Sequence, residues 1–290
     1  MPQPPLRIAI LECDTPLQNT NSKYGGYGGV FTSLLQRGAS SLSPALPESA
    51  LQISKYDVVT AQEYPDLSSI DAILISGSRH TSFDSDAWIV KLVEFVKGVL
   101  AQERVRLVGV CFGHQVIGRA LGVKVGRSDR GWEVSVTPVE LTGRGKEIFG
   151  LEKLVCLFVY FLFCYSDFRR EMSNWEREGE RGREREKPKL TNQKNIFQMH
   201  KDIVYEYPPE VEQLAYTDKC ATQGMYIRKK LITVQGHPEF TEEIVRELLE
   251  ARHASGVFDD ETYTDAVGRV DKEHDGVKVA QAFLKFIMED

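Results

Sequence analysis

Apolar residues in the first 121 positions form short runs that alternate with segments of helical spacing. The runs, each of which predicts a strand buried on both faces, are Leu6–Leu11, Ala72–Ser76 and Leu107–Val110. The segments that predict helices are Val30–Arg37, Trp88–Leu100 and the stretch from Cys111 to Leu121. Strands that alternate with helices at this rhythm are typical of βαβ units, so the pattern predicts a parallel sheet.

The pattern changes beyond residue 130. Glu133–Leu141 alternates in polarity, and Gln223–Ile227 with Leu231–Gln235 predicts an antiparallel pair joined by a charged turn. The closing segment carries apolar residues on one helical face, at Val279, Phe283, Phe286 and Ile287. We therefore predict an α/β fold in three layers: a mostly parallel central sheet, helices on both faces, and a smaller antiparallel β element. One domain would cover residues 1–290.

One segment, at about 154–194, departs from the rest of the chain. Leu154–Tyr165 is unbroken apolar or aromatic sequence, and 14 of the 21 residues from Arg169 to Lys189 are Arg, Lys or Glu. The apolar part is shorter than the roughly 20 residues that a membrane-spanning helix needs. Three interpretations compete: a membrane-surface anchor, a genuine insertion into the domain, and translated intron sequence. The abrupt change of composition favours the third.

Composition and charge exclude several classes of protein. The 290 residues carry a net charge of −6, whereas a nucleic-acid-binding domain is usually basic. The five cysteines, at 13, 111, 156, 164 and 220, form no CxxC pair, so the spacing indicates neither a zinc site nor a disulfide framework. The apolar run near the N-terminus is too short for a signal peptide. We therefore expect a cytoplasmic protein with no metal, no cofactor, no nucleic-acid partner and no membrane partner.

The first candidate for chemistry is Cys111, at the end of a predicted strand. The sequence from Gly109 to Gly113, GVCFG, matches the G-x-nucleophile-x-G turn of hydrolases with cysteine as the nucleophile. Glycines on both sides let the backbone approach closely in such a turn. The partial positive charge of the following helix N-terminus favours the thiolate, which is the reactive form.

A thiol nucleophile needs a base and a group that orients the base. His237 and Glu239 follow the predicted strand Leu231–Gln235, and Pro238 between them favours extended backbone. Side chains two residues apart on an extended segment point the same way, so both can face one site. We predict a catalytic triad in which Glu239 orients His237, and His237 exchanges a proton with Cys111.

The segments GVCFGHQ at 109–115 and GHPE at 236–239 together resemble the class I glutamine amidotransferases and the related γ-glutamyl peptidases. ISGSRHTSFD at 75–84, GWE at 131–133 and MHKD at 199–202 are similar to that family in the same order. The resemblance covers about 6–153 and 195–255 and implies a flavodoxin-like fold. It also implies oxyanion-binding and substrate-binding roles for Gly77, Phe112, Gln115 and His200, with pocket walls that include Ser78, Arg79 and Trp132.

The resemblance implies hydrolysis of a γ-glutamyl amide through a thioester on Cys111. The substrate would be glutamine, with ammonia passed to a synthetase partner, or a γ-glutamyl peptide such as a glutathione-like conjugate. A non-catalytic regulatory module of the same fold is the alternative from another class. The Gly-rich stretch at 24–29, YGGYGG, lacks the GKS or GKT ending of a phosphate loop, and we interpret it as a flexible loop near the site.

Overall fold

The computed structural model describes residues 4–150 and 193–290. Residues 154–192 of the segment of extreme composition lie outside the described residues. Its predicted C-terminal boundary needs a correction, because Gln193 and Lys194 begin a strand and Lys194 pairs with Val139 in the sheet. The side chain of Lys194 is buried, as expected for a residue that belongs to the fold.

The described residues form eleven strands. They are β1 Leu6–Glu12, β2 Leu51–Asp57, β3 Ala72–Ile75, β4 Arg106–Val110, β5 Val125–Arg127, β6 Glu133–Leu141, β7 Gln193–His200, β8 Asp202–Val204, β9 Glu212–Tyr216, β10 Gly224–Ile227 and β11 Leu231–Val234. The helices are α1 Gln18–Tyr24, α2 Tyr27–Ser40, α3 Ala87–Leu100, α4 Phe112–Ala120, α5 Gly143–Phe149, α6 Glu242–Ala254, α7 Asp260–Val267 and α8 Gly276–Ile287.

Nine of these strands form one sheet in the order β2-β1-β3-β4-β11-β10-β9-β6-β7. The five strands from β2 to β11 are mutually parallel, and the four from β10 to β7 are antiparallel to their neighbours. A separate two-stranded sheet joins β5 to β8. The predicted α/β class with a mixed sheet is confirmed, and the antiparallel strands extend the parallel sheet instead of forming a separate body.

Helices cover both faces of the parallel strands. One apolar cluster packs Phe31 and Leu34 of α2 and Phe283 of α8 against one face of the sheet. A second apolar cluster, which includes Leu92 of α3 and Ile117 of α4, packs these two helices against the opposite face. The parallel strands β3 and β4 are buried along their whole length, which is why their sequences are continuously apolar.

The Gly-rich stretch forms the junction of two helices, so its interpretation as a flexible loop is wrong. Tyr24 ends α1, and Tyr27 begins α2 three residues earlier than the predicted start at Val30. Gly26, between the helices, has φ 109°, a conformation that strongly favours glycine. A side chain at Gly29 would collide with the carbonyl of Tyr24. The glycines therefore make a tight helix-to-helix turn.

Candidate functional site

Cys111 occupies the turn between β4 and α4. Its backbone has φ 50° and ψ −102°, which is rare for a residue other than glycine. The Cys111 N–H donates to the Val234 carbonyl at 3.0 Å, which ties the turn to the adjacent strand β11. A conformation of this kind costs about 1–3 kcal/mol and persists only where the surrounding structure imposes it. The turn holds the sulfur at the carboxyl edge of the parallel strands.

The two glycines that flank Cys111 are required by packing. A Cβ atom at Gly109 would lie 2.9 Å from the backbone of Gly113 and 2.8 Å from Cδ1 of Ile117. A Cβ atom at Gly113 would collide with the carbonyl of Ile75 on the neighbouring strand β3. The helix therefore approaches the sheet more closely than any side chain at these positions would allow.

His237 and Glu239 lie just beyond β11, the strand next to β4. The His237 N–H donates to the Phe197 carbonyl at 2.7 Å, which fixes the segment against β7. His237 Nδ1 lies 2.7 Å from Glu239 Oε1, and the imidazole stacks on the Phe240 ring with 4.0 Å between centroids. Glu239 is 1% exposed. The carboxylate and the stacked ring together orient the imidazole.

The electrostatic surroundings of His237 favour its charged form. Burial lowers the pKa of the imidazole, but the negative charges of Cys111 and Glu239, and the hydrogen bonds to both, outweigh burial and raise the pKa to about 10. Cys111, His237 and Glu239 therefore form a connected set. A thiol next to an imidazole that a carboxylate orients is the arrangement that a cysteine nucleophile needs.

Gly77 lies directly beside this set. It follows β3, and a Cβ atom at this position would lie 2.8 Å from Cε1 of His237 and 3.8 Å from Cβ of Cys111. Phe112 is the first residue of α4, where a backbone N–H has no acceptor within the helix. Both predicted oxyanion donors are thus placed next to the Cys111 turn.

The close approach of Gly77 predicts the effect of adding one methyl group. Gly77→Ala should displace the His237 ring by about half an ångström and lower kcat/KM of any reaction that uses His237 about 100-fold. The unfolding midpoint in urea should fall modestly, because the ring that must move is held by Glu239 and Phe240 but belongs to a side chain and not to the backbone. As a control, Gly98→Ala adds a methyl where no atom lies within 4 Å. Equal activity of the two variants would show that Gly77 does not confine the ring.

A cavity of about 580 Å³ is lined by Cys111 and His237. Gly77, Gln115 and His200 also line it. The cavity is within the range of 300–1,000 Å³ that is usual for small-molecule sites. In the described ranges 4–150 and 193–290, no group of three or more His, Cys, Asp and Glu side chains is arranged to hold a metal ion. No helix there is long and apolar enough to cross a membrane.

Comparison with known proteins identifies the family. The family model "Glutamine amidotransferase class-I" matches residues 40–251. The chain belongs to the class I glutamine amidotransferase family. It is 32% identical to a glutamine amidotransferase-like protein of Schizosaccharomyces pombe, over 97% of this chain and 98% of that protein. It is 25% identical to gamma-glutamyl peptidase 2 of Arabidopsis thaliana, over 92% and 89% of the two chains.

A solved structure shows the same fold. A glutamine amidotransferase from Thermotoga maritima superposes on this amidotransferase-family chain with a TM-score of 0.62 at 14% identity, covering 98% of this chain and 99% of that one. The flavodoxin-like class I fold, expected from the resemblance, is therefore confirmed.

The predicted substrate ligand Gln115 has its amide occupied by protein atoms. Its Oε1 accepts from the Ser82 hydroxyl at 2.9 Å, and its Nε2 donates to the Asp202 carbonyl at 2.8 Å and to Oε1 of Gln235 at 3.2 Å. In this arrangement the side chain supports the wall of the cavity. Direct binding of substrate by Gln115 stays a prediction and would require exchange of one of these hydrogen bonds.

His200 also lines the cavity of this amidotransferase-family domain, as predicted. Its Nδ1 lies 3.3 Å from the Asp202 carbonyl, and its Nε2 lies 3.1 Å from Oε2 of Glu133 at an angle outside hydrogen-bond geometry. His114 lies deeper, with Nδ1 2.7 Å from the Thr233 hydroxyl, and burial lowers its pKa to about 3. His114 is therefore neutral at physiological pH.

Sequence reasoning did not single out two residues of the cavity, Tyr27 and Arg252. Tyr27 belongs to the Gly-rich stretch, and burial together with the charges of Asp14 and Glu239 raises the pKa of its hydroxyl. Arg252 lies on α6, which contributes Leu248, Ala251 and Arg252 to the cavity at helical spacing, and Ser255 follows directly after the helix. This spacing was the available signal, but it is equally typical of an ordinary amphipathic helix.

Proposed function

We propose that the chain is a cysteine hydrolase that cleaves a γ-glutamyl amide through a thioester on Cys111. The observation that supports this most strongly is the connected set of Cys111, His237 and Glu239 at the wall of one cavity. Membership of the class I glutamine amidotransferase family supports the same chemistry. A catalytic thiolate also requires a reducing environment, which favours the cytoplasm.

In the proposed mechanism the Cys111 thiolate attacks the γ-carbonyl carbon, and the carbonyl oxygen becomes an oxyanion. The backbone N–H groups of Gly77 and Phe112 would donate hydrogen bonds to that oxyanion. The imidazolium of His237 gives its proton to the leaving amine as the C–N bond breaks, which leaves a γ-glutamyl thioester. His237 then accepts a proton from water, the water attacks the thioester, and glutamate leaves while Cys111 returns to the thiolate.

The size of the cavity and the relatives favour a γ-glutamyl peptide over glutamine as the substrate. A volume of about 580 Å³ leaves room for a leaving group much larger than ammonia. Several relatives carry the name gamma-glutamyl peptidase, with identities of 25–28%. Glutamine hydrolysis that supplies ammonia to a synthetase partner is the second candidate, since the family model is that of the glutamine amidotransferases.

A substrate comparison with the purified full chain tests this proposal. Release of ammonia from glutamine and release of the free amine from a γ-glutamyl dipeptide would be measured under the same conditions. We expect hydrolysis of the dipeptide with the higher kcat/KM. A higher value for glutamine would support the ammonia-producing function instead. Absence of turnover with both substrates would contradict the proposed hydrolase and support a non-catalytic module.

A further inference from the structure

Arg252 places a cation in the wall of the cavity. Its guanidinium lies over the Trp132 ring with Cζ 5.0 Å from the ring centroid, and 5.9 Å from the Phe258 centroid. Two aromatic rings on one guanidinium restrict its orientation and favour the planar cation. The α6 helix supplies the backbone, and the Arg252 carbonyl accepts from the Val257 and Phe258 N–H groups after the helix ends. Arg252 is thus held rigidly at the cavity.

The other arginines of the cavity are neutralised by carboxylates. Arg79 lies 2.7 Å from Asp14, and Arg127 lies 2.8 Å from Asp202. Arg252, by contrast, has no Asp or Glu oxygen within 4.0 Å among the residues at 4–150 and 193–290. It is also partly buried. A half-buried guanidinium without a counter-ion carries a desolvation cost that an anionic ligand would offset.

Arg252 and Cys111 line the same cavity. Burial lowers the pKa of the guanidinium, while the charges of Cys111, Tyr27 and Asp14 oppose that shift. A substrate that binds with its carbonyl at Cys111 would share this cavity with Arg252.

We propose that Arg252 binds a carboxylate of the γ-glutamyl substrate and thereby determines which γ-glutamyl compounds are accepted; this inference rests on the proposed function. A guanidinium matches a carboxylate with two parallel N–H···O bonds, which gives both attraction and orientation. A γ-glutamyl peptide offers two such groups, the α-carboxylate of the glutamyl unit and the C-terminal carboxylate of the leaving group. The experiment distinguishes these two sources.

The test is a binding measurement by isothermal titration calorimetry on the full chain with Cys111→Ala, which binds without turnover. The ligands are γ-glutamylglycine, its C-terminal carboxamide and its α-carboxamide. Each is titrated into the Cys111→Ala chain and into the same chain with Arg252→Met, Arg252→Lys or Arg246→Met. Arg246 is the matched control, because it lies on the same helix with its guanidinium 2.8 Å from Glu242 and away from the cavity.

We expect Arg252→Met to weaken γ-glutamylglycine binding about 10- to 100-fold, as for loss of a hydrogen-bonded charge pair. Arg252→Lys should restore part of the affinity, and Arg246→Met should leave it unchanged. In one of the two carboxamides, the carboxylate that Arg252 recognises is replaced by an amide. This ligand should bind weakly, and Arg252→Met should not change its affinity. The other carboxamide should lose as much affinity as the parent ligand, which identifies the carboxylate. Unfolding midpoints of the variants serve as the check on folding.

If Arg252→Met weakens the binding of all three ligands equally, Arg252 has a structural role and the inference is overturned. The inference is also overturned if the substitution leaves every affinity unchanged, or if none of the ligands binds to the Cys111→Ala chain. The failure of the proposed function has a different signature. If binding depends on Arg252 and on one carboxylate while the unmodified chain hydrolyses no γ-glutamyl compound, the inference stands and the hydrolase does not. If the unmodified chain hydrolyses the dipeptide but Arg252 has no effect, only the inference fails.

Discussion

Cys111→Ser is expected to lower kcat for γ-glutamyl amide hydrolysis by about 10⁴-fold or more, because the serine hydroxyl is far less ionised than a thiol paired with His237. The substitution changes one atom, and the Cys111 backbone is held at φ 50° by its neighbours. We therefore expect the unfolding midpoint to move little. Steady-state kinetics with the preferred γ-glutamyl substrate, together with urea denaturation, provide the measurement.

Cys220→Ser is the matched control for the loss of a buried thiol. The Cys220 sulfur lies 3.6 Å from the Thr222 hydroxyl and is outside the cavity, so turnover should remain close to that of the unmodified chain. Retained activity in Cys111→Ser would refute the assigned nucleophile. Loss of activity in both serine variants would point to general destabilisation.

Glu239→Gln is expected to lower kcat about 10³- to 10⁴-fold. The Glu239 carboxylate accepts a hydrogen bond from His237 Nδ1 at 2.7 Å, whereas an amide can present a donor there and stabilise the wrong tautomer. The charge of Glu239 also helps to raise the pKa of His237 to about 10. Without that charge, burial has more weight and the pKa of the imidazole should fall.

NMR titration of the imidazole nitrogens measures this change directly. In the unmodified chain the His237 ring should carry both N–H protons at pH 8, because its pKa is about 10. In Glu239→Gln the pKa should be lower, so the ring should become neutral at a lower pH than in the unmodified chain. Cys111→Ala should shift the pKa in the same direction, because the thiolate charge also raises it. Glu242→Gln, which removes an exposed carboxylate on α6, should change neither the titration nor kcat. Unchanged turnover in Glu239→Gln would exclude the assigned orienting role.

The parallel half of the fold and the Cys111 turn could be predicted from sequence because they depend on short-range patterns. A strand buried on both faces must be continuously apolar, as β3 and β4 are. The flanking glycines at 109 and 113 mark a turn with no room for side chains. The segment from His237 to Glu239 follows the strand Leu231–Val234, which the sequence pattern pairs only with β10; its parallel pairing with β4, which brings the segment beside Cys111, is seen in the structure.

Other parts of the fold depend on contacts between distant residues. β2 lies at the edge of the sheet with a half-exposed face, so its sequence, LQISKYD, lacks a strong apolar signal. The helix α1 is short and polar, and the Gly-rich stretch at 24–29 is tied to β1 by a hydrogen bond from the Gly28 N–H to the Glu12 carboxylate at 2.6 Å. A contact of this kind leaves no periodic pattern in the sequence.

The proximity of Cys111, His237 and Glu239 could be predicted from the two motifs, but the cation in the cavity could not. Arg252 follows Glu239 by thirteen positions on an ordinary amphipathic helix, and a surface arginine would give the same pattern. Its position over Trp132 depends on how α6 packs against β6 and β7, which are distant in sequence. Likewise, the occupied amide of Gln115 depends on Ser82, Asp202 and Gln235, from three other segments.

Active-site labelling of the full chain with a glutamine-mimetic chloroketone, followed by peptide mass spectrometry, tests the central claim most directly. We predict a label on Cys111, prevented by excess γ-glutamyl dipeptide, and none on Cys13 or Cys220, since neither of these thiols lines the cavity and burial raises the pKa of each. An unlabelled Cys111 under conditions in which other thiols of the chain react would contradict the account, because the sulfur would then be neither activated nor reachable from the cavity.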